Sequence, residues 1–191
     1  AGPPSADADA DLVVRSSNKV DFHVHKFLLS LASPVFKDIL SIPDTTIYSG
    51  ASVEYKDGIL VIHVAEQRQV LENLLRLVYP TDNGKLPDLS SVRELFRAMD
   101  KYEMLDLFPQ TLDRNLRDIA RAHPFAAYAI ACRYQKLALA NEIAPFTLQQ
   151  PFLADAFDEE DVNLITTYQY NQLHQYHQKC RDSALRAFQV F

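Results

Sequence analysis

The hydrophobic pattern near the start of the chain predicts two strands. Leu12, Val13 and Val14 form a short apolar run of the kind found in buried strands. Residues 15–19 are polar and predict a turn, in which Asn18 is suited to a left-handed conformation. Apolar and polar residues then alternate up to residue 24, which is the period of a half-buried strand. We therefore predict a β-hairpin here.

Beyond the hairpin the apolar residues recur at helical spacing. Phe27, Leu28 and Leu31 share one predicted helical face. Ser33 and Pro34 predict a new helix, because serine is a common N-cap and proline suits the first turn. The apolar face of this second helix contains Val35, Phe36, Ile39 and Leu40. The pattern therefore predicts a helical hairpin.

The middle of the chain predicts one further strand and three helices. Residues 41–57 are polar and irregular, which predicts a loop, and Asp57-Gly58 predicts a turn into a strand over 59–64. A helix is predicted from Glu66, and Ser91 with Glu94 predicts a capping box for the next helix. A third helix is predicted after Asp106 as its cap.

The last third of the chain has an all-helical pattern. Pro124 predicts the start of a helix that continues until Pro145. The acidic run that begins at Asp158 predicts a short helix, because negative charge is favourable at a helix N-terminus. Apolar residues from Leu164 to Phe188 predict a long amphipathic helix.

Composition and charge exclude several classes of protein. The 191 residues are 48% hydrophobic and 23% charged, which is ordinary for a globular protein. A net charge of −6 argues against direct binding of nucleic acid. No segment approaches the roughly 20 apolar residues of a membrane span. The two cysteines, Cys132 and Cys180, lie in helical patterns, and we expect them to be reduced inside the cell.

Two groups of residues are candidates for chemistry. His23 and His25 lie two residues apart on one face of a predicted strand. His174, His177 and Cys180 recur at helical spacing. The first group could bind a metal together with Cys or Asp elsewhere. The second group, with Cys132, could bind a metal or form a Cys–His nucleophile pair.

A structural role is the simpler interpretation of both groups. A zinc site needs four convergent ligands, and Cys180 belongs to an apolar stripe with Leu173 and Tyr176. The chain has only four glycines and no phosphate-binding loop. We therefore predict a protein without a cofactor, a metal or an enzymatic activity.

The segment FHVHKFLLSLASPVF, together with the acidic residue before the first strand, resembles the opening of the BTB/POZ fold. The resemblance implies an α+β fold, in which a small three-stranded sheet is capped by helical hairpins over residues 9–118. It implies a disordered segment over 1–8. An all-helical extension of the BACK type is expected over 119–191, packed on the BTB domain.

Later segments are similar to BTB proteins of an expanded fungal group. The segments DGILVIHVAE, LENLLRLVYP and LPDLSSVRELFRAMDKYEM resemble that group within the first part of the chain. The segments HPFAAYAIACR and YNQLHQYHQKC resemble it in the helical part.

The resemblance assigns expected roles to residues of the hairpins. Asp11 and Lys26 match a partly buried charge pair, which is either structural or part of a shallow pocket for peptides. The residues expected to be structural are His25, Ser33, Pro34 and Phe36.

The resemblance also implies surfaces for partners. A cullin scaffold would bind a face formed by Val35, Ile39, Leu40, Ile42 and Tyr102. Some adaptors carry an apolar residue, any residue and then Glu just after the second helix of the hairpin. The stretch Leu40-Ser41-Ile42-Pro43-Asp44 departs from that motif. Homodimers would use Phe27, Leu28 and Leu31, or the C-terminal helices, although the short segment before Asp11 is typical of the monomeric form.

The expected function is therefore that of a protein–protein interaction module, acting in assembly or as an adaptor, with a cullin-type ubiquitin ligase as one partner. A transcriptional co-regulator that acts through protein partners is the second hypothesis. A metal-binding protein or enzyme based on the histidines and cysteines is the remote third.

Overall fold

The computed structural model describes residues 9–42, 54–79, 86–104, 110–153 and 156–188. The chain divides into two units, Ala1–Thr111 and Leu112–Phe191. The first unit contains a sheet and helices, so the predicted α+β class is confirmed. The described part of the second unit contains helices only.

Within the described residues, the sheet of the first unit has four strands instead of the predicted three. They are β1 (Leu12–Arg15), β2 (Asp21–Val24), β3 (Glu54–Lys56) and β4 (Ile59–His63), in the order β2-β1-β4-β3. The pair β1–β4 is parallel, and the two outer pairs are antiparallel.

The strand that sequence patterns missed is β3, which lies within the predicted loop 41–57. It has only three residues, and its exposed edge position removes the need for apolar alternation. The predicted turn at Asp57 and Gly58 is confirmed, with φ angles of 52° and 81°. Both residues are left-handed, as a tight two-residue hairpin turn requires.

The central strand β1 explains the unbroken apolar run near the start of the chain. Leu12, Val13 and Val14 are each 0% exposed, because the strand has a neighbour on both sides and is covered on both faces. In the turn after β1 the left-handed residue is Lys19, with φ of 64°, and not Asn18. Asn18 instead uses its side chain as a hydrogen-bond acceptor.

The first unit has four helices in its described part: α1 (Lys26–Ala32), α2 (Pro34–Ser41), α3 (Arg68–Val78) and α4 (Leu89–Lys101). The predicted capping box at Ser91 and Glu94 is wrong. The carboxylate of Asp88 accepts a hydrogen bond from the Ser91 backbone N–H at 2.8 Å and caps α4 three residues earlier.

The second unit contains α5 (Gln110–Ala120), α6 (Pro124–Arg133), α7 (Leu137–Thr147), α8 (Glu159–Val162) and α9 (Thr167–Phe188). Both the division of the chain at 111 and the expected boundary at 118 fall within α5. The short acidic helix α8 is confirmed, with Asp158 as its N-cap. The predicted cap Asp106 lies outside the described residues.

The centre of the second unit is α6. Nine consecutive residues, 124–132, are buried, so the helix is apolar on all sides and packs against both α7 and α8. The predicted single helix from Pro124 to Pro145 is in fact two helices. Gln135 is left-handed, with φ of 55°, and ends the first of them. Pro145 lies inside α7, which continues to Thr147.

The long helix α9 is amphipathic over only part of its length. Leu173 is 1% exposed, whereas Tyr168 and Leu185 are 71% and 55% exposed. Residues 181–187 are exposed on all sides, so the predicted apolar stripe is not buried to its end. Leu164 and the residue after it precede the helix.

Across the described segments, none of the helices has the length and hydrophobicity to cross a membrane.

Charged side chains connect all four strands of the sheet. Arg15 on β1 donates to Asp21 on β2 through Nη2 at 3.0 Å, and Nη1 donates to Glu54 on β3. Lys56 donates to Asp21 at 2.7 Å, and His63 on β4 contacts Glu54 at 2.8 Å. Hydrogen bonds from Arg15 and then Lys56 hold the pKa of Asp21 well below its usual range, although burial opposes this shift.

The lowered pKa of Asp21 predicts a pH dependence of stability. Its folded-state pKa lies below its unfolded value of about 3.9, so the stabilisation is present above that pH and is lost as the pH falls through the folded-state pKa. We expect Asp21→Asn to lower the free energy of unfolding at pH 7. The difference from the wild type should narrow between pH 5 and pH 2, as measured by urea unfolding.

Asp38→Asn is the matched control, because Asp38 is exposed on α2. It should change the free energy of unfolding little at either pH. If Asp21→Asn lowers the free energy of unfolding equally at pH 7 and pH 2, the charge of the carboxylate contributes nothing to stability.

Candidate protein-interaction surface

Ser33 joins the two helices of the first helical hairpin. Its backbone N–H donates to the Leu29 carbonyl at 2.9 Å and ends α1. Its hydroxyl accepts from the Phe36 N–H at 3.1 Å and caps α2, with Pro34 in the first turn. The same hydroxyl donates to the Tyr102 carbonyl at 2.6 Å. The predicted cap is therefore present, and it also binds the end of α4.

The rings of Phe36 and Tyr102 stack directly beside this hydroxyl, with centroids 4.6 Å apart and planes 15° apart. Tyr102 is 3% exposed, and its hydroxyl donates to Glu66. Burial, followed by the Glu66 carboxylate, raises the pKa of Tyr102 above its usual range. The expected partner-facing role of Tyr102 is therefore wrong, because its ring is a core residue.

Glu66 connects this buried ring to solvent. Its carboxylate accepts from Tyr102 and, at 2.7 Å, from the Lys101 ammonium group. Burial would raise the pKa of Glu66, but the hydrogen bonds from Lys101 and Tyr102 outweigh it and lower the pKa. The carboxylate is therefore held in its charged form. Sequence patterns give no sign of this role, since Glu66 lies 35 and 36 positions from Lys101 and Tyr102 at the end of α4.

Asp11 and Lys26 interact in a different way from the expected charge pair. The Asp11 carboxylate accepts a hydrogen bond from the Lys26 backbone N–H at 2.7 Å, and Asp11 is exposed. Lys26 is the first residue of α1, whose N-cap, His25, makes no capping bond with its side chain. Asp11 therefore satisfies one of the free N–H groups at this helix end.

His25 lies at the start of the helical hairpin, at the position expected for a structural histidine. Its backbone N–H donates to the Tyr79 hydroxyl at 2.9 Å, and its ring Nδ1 is 3.1 Å from the same oxygen. The Tyr79 hydroxyl can therefore accept from the backbone and donate to the ring. Tyr79 is the C-cap of α3, so this contact fixes the end of α3 to the start of α1.

The hairpin leaves apolar side chains in contact with solvent. Phe27 and Leu31 on α1 are 73% and 75% exposed, and lie one turn apart on the same face. Ile39 on α2 is 38% exposed, and Ile42 just after it is 46% exposed. The half-buried apolar residues beside them are Leu28, Val35 and Leu40. We name Phe27, Leu31, Ile39 and Ile42 the hairpin surface.

The histidines and cysteines of the second group are not brought together as a metal site. His177 stacks on Phe125, with centroids 6.2 Å apart, and its Nε2 lies 2.7 Å from the Thr147 hydroxyl. Burial, and then the neighbouring His174, lowers the pKa of His177. Cys132 is buried, which raises the pKa of its thiol.

Over the ranges that the structure describes, no three His, Cys, Asp or Glu side chains converge on a point suited to a metal ion. This statement covers the pair His23 and His25 as well as the histidines and cysteines of the second unit. The described His and Cys side chains therefore do not form the arrangement of ligands that a metal ion needs. The contacts that they make are those of packed or half-buried residues.

A family model for the BTB/POZ domain matches residues 5–115, which is more than half of the chain. The chain therefore belongs to the BTB/POZ domain family. No curated protein matches it. Membership of this family indicates a protein–protein interaction module of a generally non-enzymatic kind.

The geometry around Ser33 predicts a large effect for a small substitution. Ser33→Ala removes the cap of α2 and leaves the buried Tyr102 carbonyl without its donor. We expect a loss of about 2 kcal/mol in the free energy of unfolding, measured with urea. Ser41→Ala is the control, because that hydroxyl is exposed and bonds to the Asp38 carbonyl of its own helix. Equal effects of the two substitutions would contradict the structural role of Ser33.

The contact of Asp11 predicts a difference between two substitutions. Asp11→Ala removes the acceptor for the Lys26 N–H and should cost about 1 kcal/mol. Asp11→Asn keeps a side-chain oxygen and should cost less, because only the attraction of the charge to the helix dipole is lost. Urea unfolding of both variants measures this order. An equal loss for the two variants would contradict the cap, because it would show that the charge of Asp11 contributes and that its acceptor oxygen does not.

Proposed function

We propose that this protein acts in assembly or as an adaptor, and that its BTB/POZ domain binds other proteins through the hairpin surface. The observation that carries this proposal is the exposure of Phe27 and Leu31, at 73% and 75%. Only Leu29 among the seven residues of α1 is buried. The fold therefore uses one side of this helix and leaves two large apolar side chains on the other.

The energy available from such a surface supports binding. Full burial of one large apolar side chain contributes about 1.5–3 kcal/mol. Phe27 and Leu31 lie one turn apart, so they can enter one partner together, and Ile39 and Ile42 are further exposed apolar side chains on and just after α2. Clustered apolar residues of this kind are more typical of interaction sites than single exposed ones.

We further propose two uses of this surface. The side of α1 with Phe27, Leu28 and Leu31 mediates self-association, and the side of α2 with Val35, Ile39, Leu40 and Ile42 contacts a cullin scaffold. The helices of the second unit are proposed to form a BACK-type extension of the fungal kind. Both cysteines are free thiols, which supports a place in the reducing interior of a cell.

Self-association predicts a change in mass on substitution of α1. We expect light scattering to give a dimer for the wild type and a monomer for Phe27→Glu/Leu31→Glu, because charge at these positions opposes apolar burial. Leu137→Glu is the control, since Leu137 is 61% exposed on α7, and it should remain dimeric. A monomeric wild type, or a dimeric double variant, would exclude self-association through α1.

A separate binding measurement tests the proposed contact between α2 and a cullin. The amino-terminal domain of a cullin should bind the wild type at micromolar concentration and bind Ile39→Asp/Ile42→Asp much more weakly. Ile39 and Ile42 are 38% and 46% exposed and neither is a buried core residue, so the double variant should keep its fold. Absence of binding by the wild type would exclude the cullin as a partner. The proposal that the hairpin surface binds protein would then depend on the self-association experiment.

A further inference from the structure

A groove of about 340 Å³ lies between helices of the second unit. Its base contains the buried side chains of Tyr128, Ala144 and Leu173, which are 6%, 8% and 1% exposed. Its volume falls at the small end of the range for ligand sites in proteins, about 300–1,000 Å³. The groove is therefore large enough for a short segment of chain but too small for a folded element.

The rims of the groove are polar. Asn141 on α7 and Gln172 and Gln175 on α9 present three primary amides, and all three side chains are exposed. None of these amides has a hydrogen-bond partner in the part of the chain that the structure describes. Each amide offers both a donor and an acceptor, which is the combination that a peptide group requires.

The spacing along α9 sets the length of the occupant. Gln172, Gln175 and Lys179 follow one another at intervals of three and four residues, so they lie on the same face of the helix. The distance from Gln172 to Lys179 is about 10 Å along the axis. This distance equals about three residues of extended chain.

The charges around the groove favour a negative ligand. Lys179 lies at one end, is exposed, and makes no ion pair within the described segments. Helix α9 carries Lys179, Arg181 and Arg186 against a single acidic residue, Asp182, although the whole chain has a net charge of −6. The acidic residue adjacent to Asn141 is Glu142, whose carboxylate is paired with Arg117 at 2.7 Å.

We propose that this groove binds a short extended segment of a partner protein that carries a carboxylate. The amides of Asn141, Gln172 and Gln175 pair with the peptide groups of the segment, and the Lys179 ammonium group pairs with its carboxylate. The site uses the second unit alone. It therefore gives the protein a second interaction site that does not depend on the hairpin surface.

Selection from a phage-displayed library of random dodecapeptides on the full chain tests this proposal. We expect enriched peptides to share an Asp or Glu. Synthetic copies should bind about tenfold or more weakly to Lys179→Met, because a charge-assisted hydrogen bond is lost. Gln172→Ala/Gln175→Ala should weaken binding to a similar degree. Because these side chains are exposed, the variants should keep the fold.

Matched controls lie on the same helix. Asn171→Ala and Arg186→Met change exposed residues that do not line the groove, and they should bind the peptides as the wild type does. Phe27→Glu/Leu31→Glu should also bind normally, which separates this site from the hairpin surface. Failure to enrich any peptide, enrichment of peptides without a carboxylate, or equal binding by Lys179→Met would overturn the proposal.

Discussion

The hydroxyl group of Ser33 is the interaction on which the helical hairpin depends. The chain must change direction between α1 and α2 inside the core, where unpaired backbone groups are costly. One side chain solves this problem, because it accepts from the Phe36 N–H and donates to the Tyr102 carbonyl. The stacked rings of Phe36 and Tyr102 then exclude water from both hydrogen bonds. The end of α4 is thereby tied to the start of α2, and Glu66 completes the connection at the surface.

Two helices of the first unit, α1 and α3, are capped by side chains that flank a strand of the sheet. Residues at the N-cap positions of α1 and α3 make no capping bonds with their side chains. Asp11 and Asn18, which flank β1, accept from the first N–H of α1 and of α3 at 2.7 and 3.0 Å. A helix of seven residues is marginal in isolation, so α1 depends on such contacts. This support from the sheet allows α1 to exist with only one buried side chain.

Local signals explain what could be predicted from the sequence. The strand β1, the Ser33 cap and the acidic helix α8 each have a signature within a few residues, and all three are present. The edge strand β3 has no apolar alternation, so no pattern predicted it. The break between α6 and α7 is made by one residue with a left-handed backbone, Gln135, and the residues around it have the composition of a helix. The Tyr79 contact with His25 joins residues 54 positions apart, so no local pattern contains it. The same holds for the contact between Glu66 and Tyr102, whose residues are 36 positions apart.

The hairpin separates residues that maintain the fold from residues that are free to bind. His25, Leu29, Ser33 and Phe36 point inward and make the contacts that hold α1 and α2 in place. Phe27, Leu31, Ile39 and Ile42 lie outside that set and are at least 38% exposed. Because helical periodicity places the two sets on different faces, selection can change the outer residues without loss of the core. In the proposed function the outer set determines which partner is bound, whereas the inner set determines that the BTB/POZ fold forms at all.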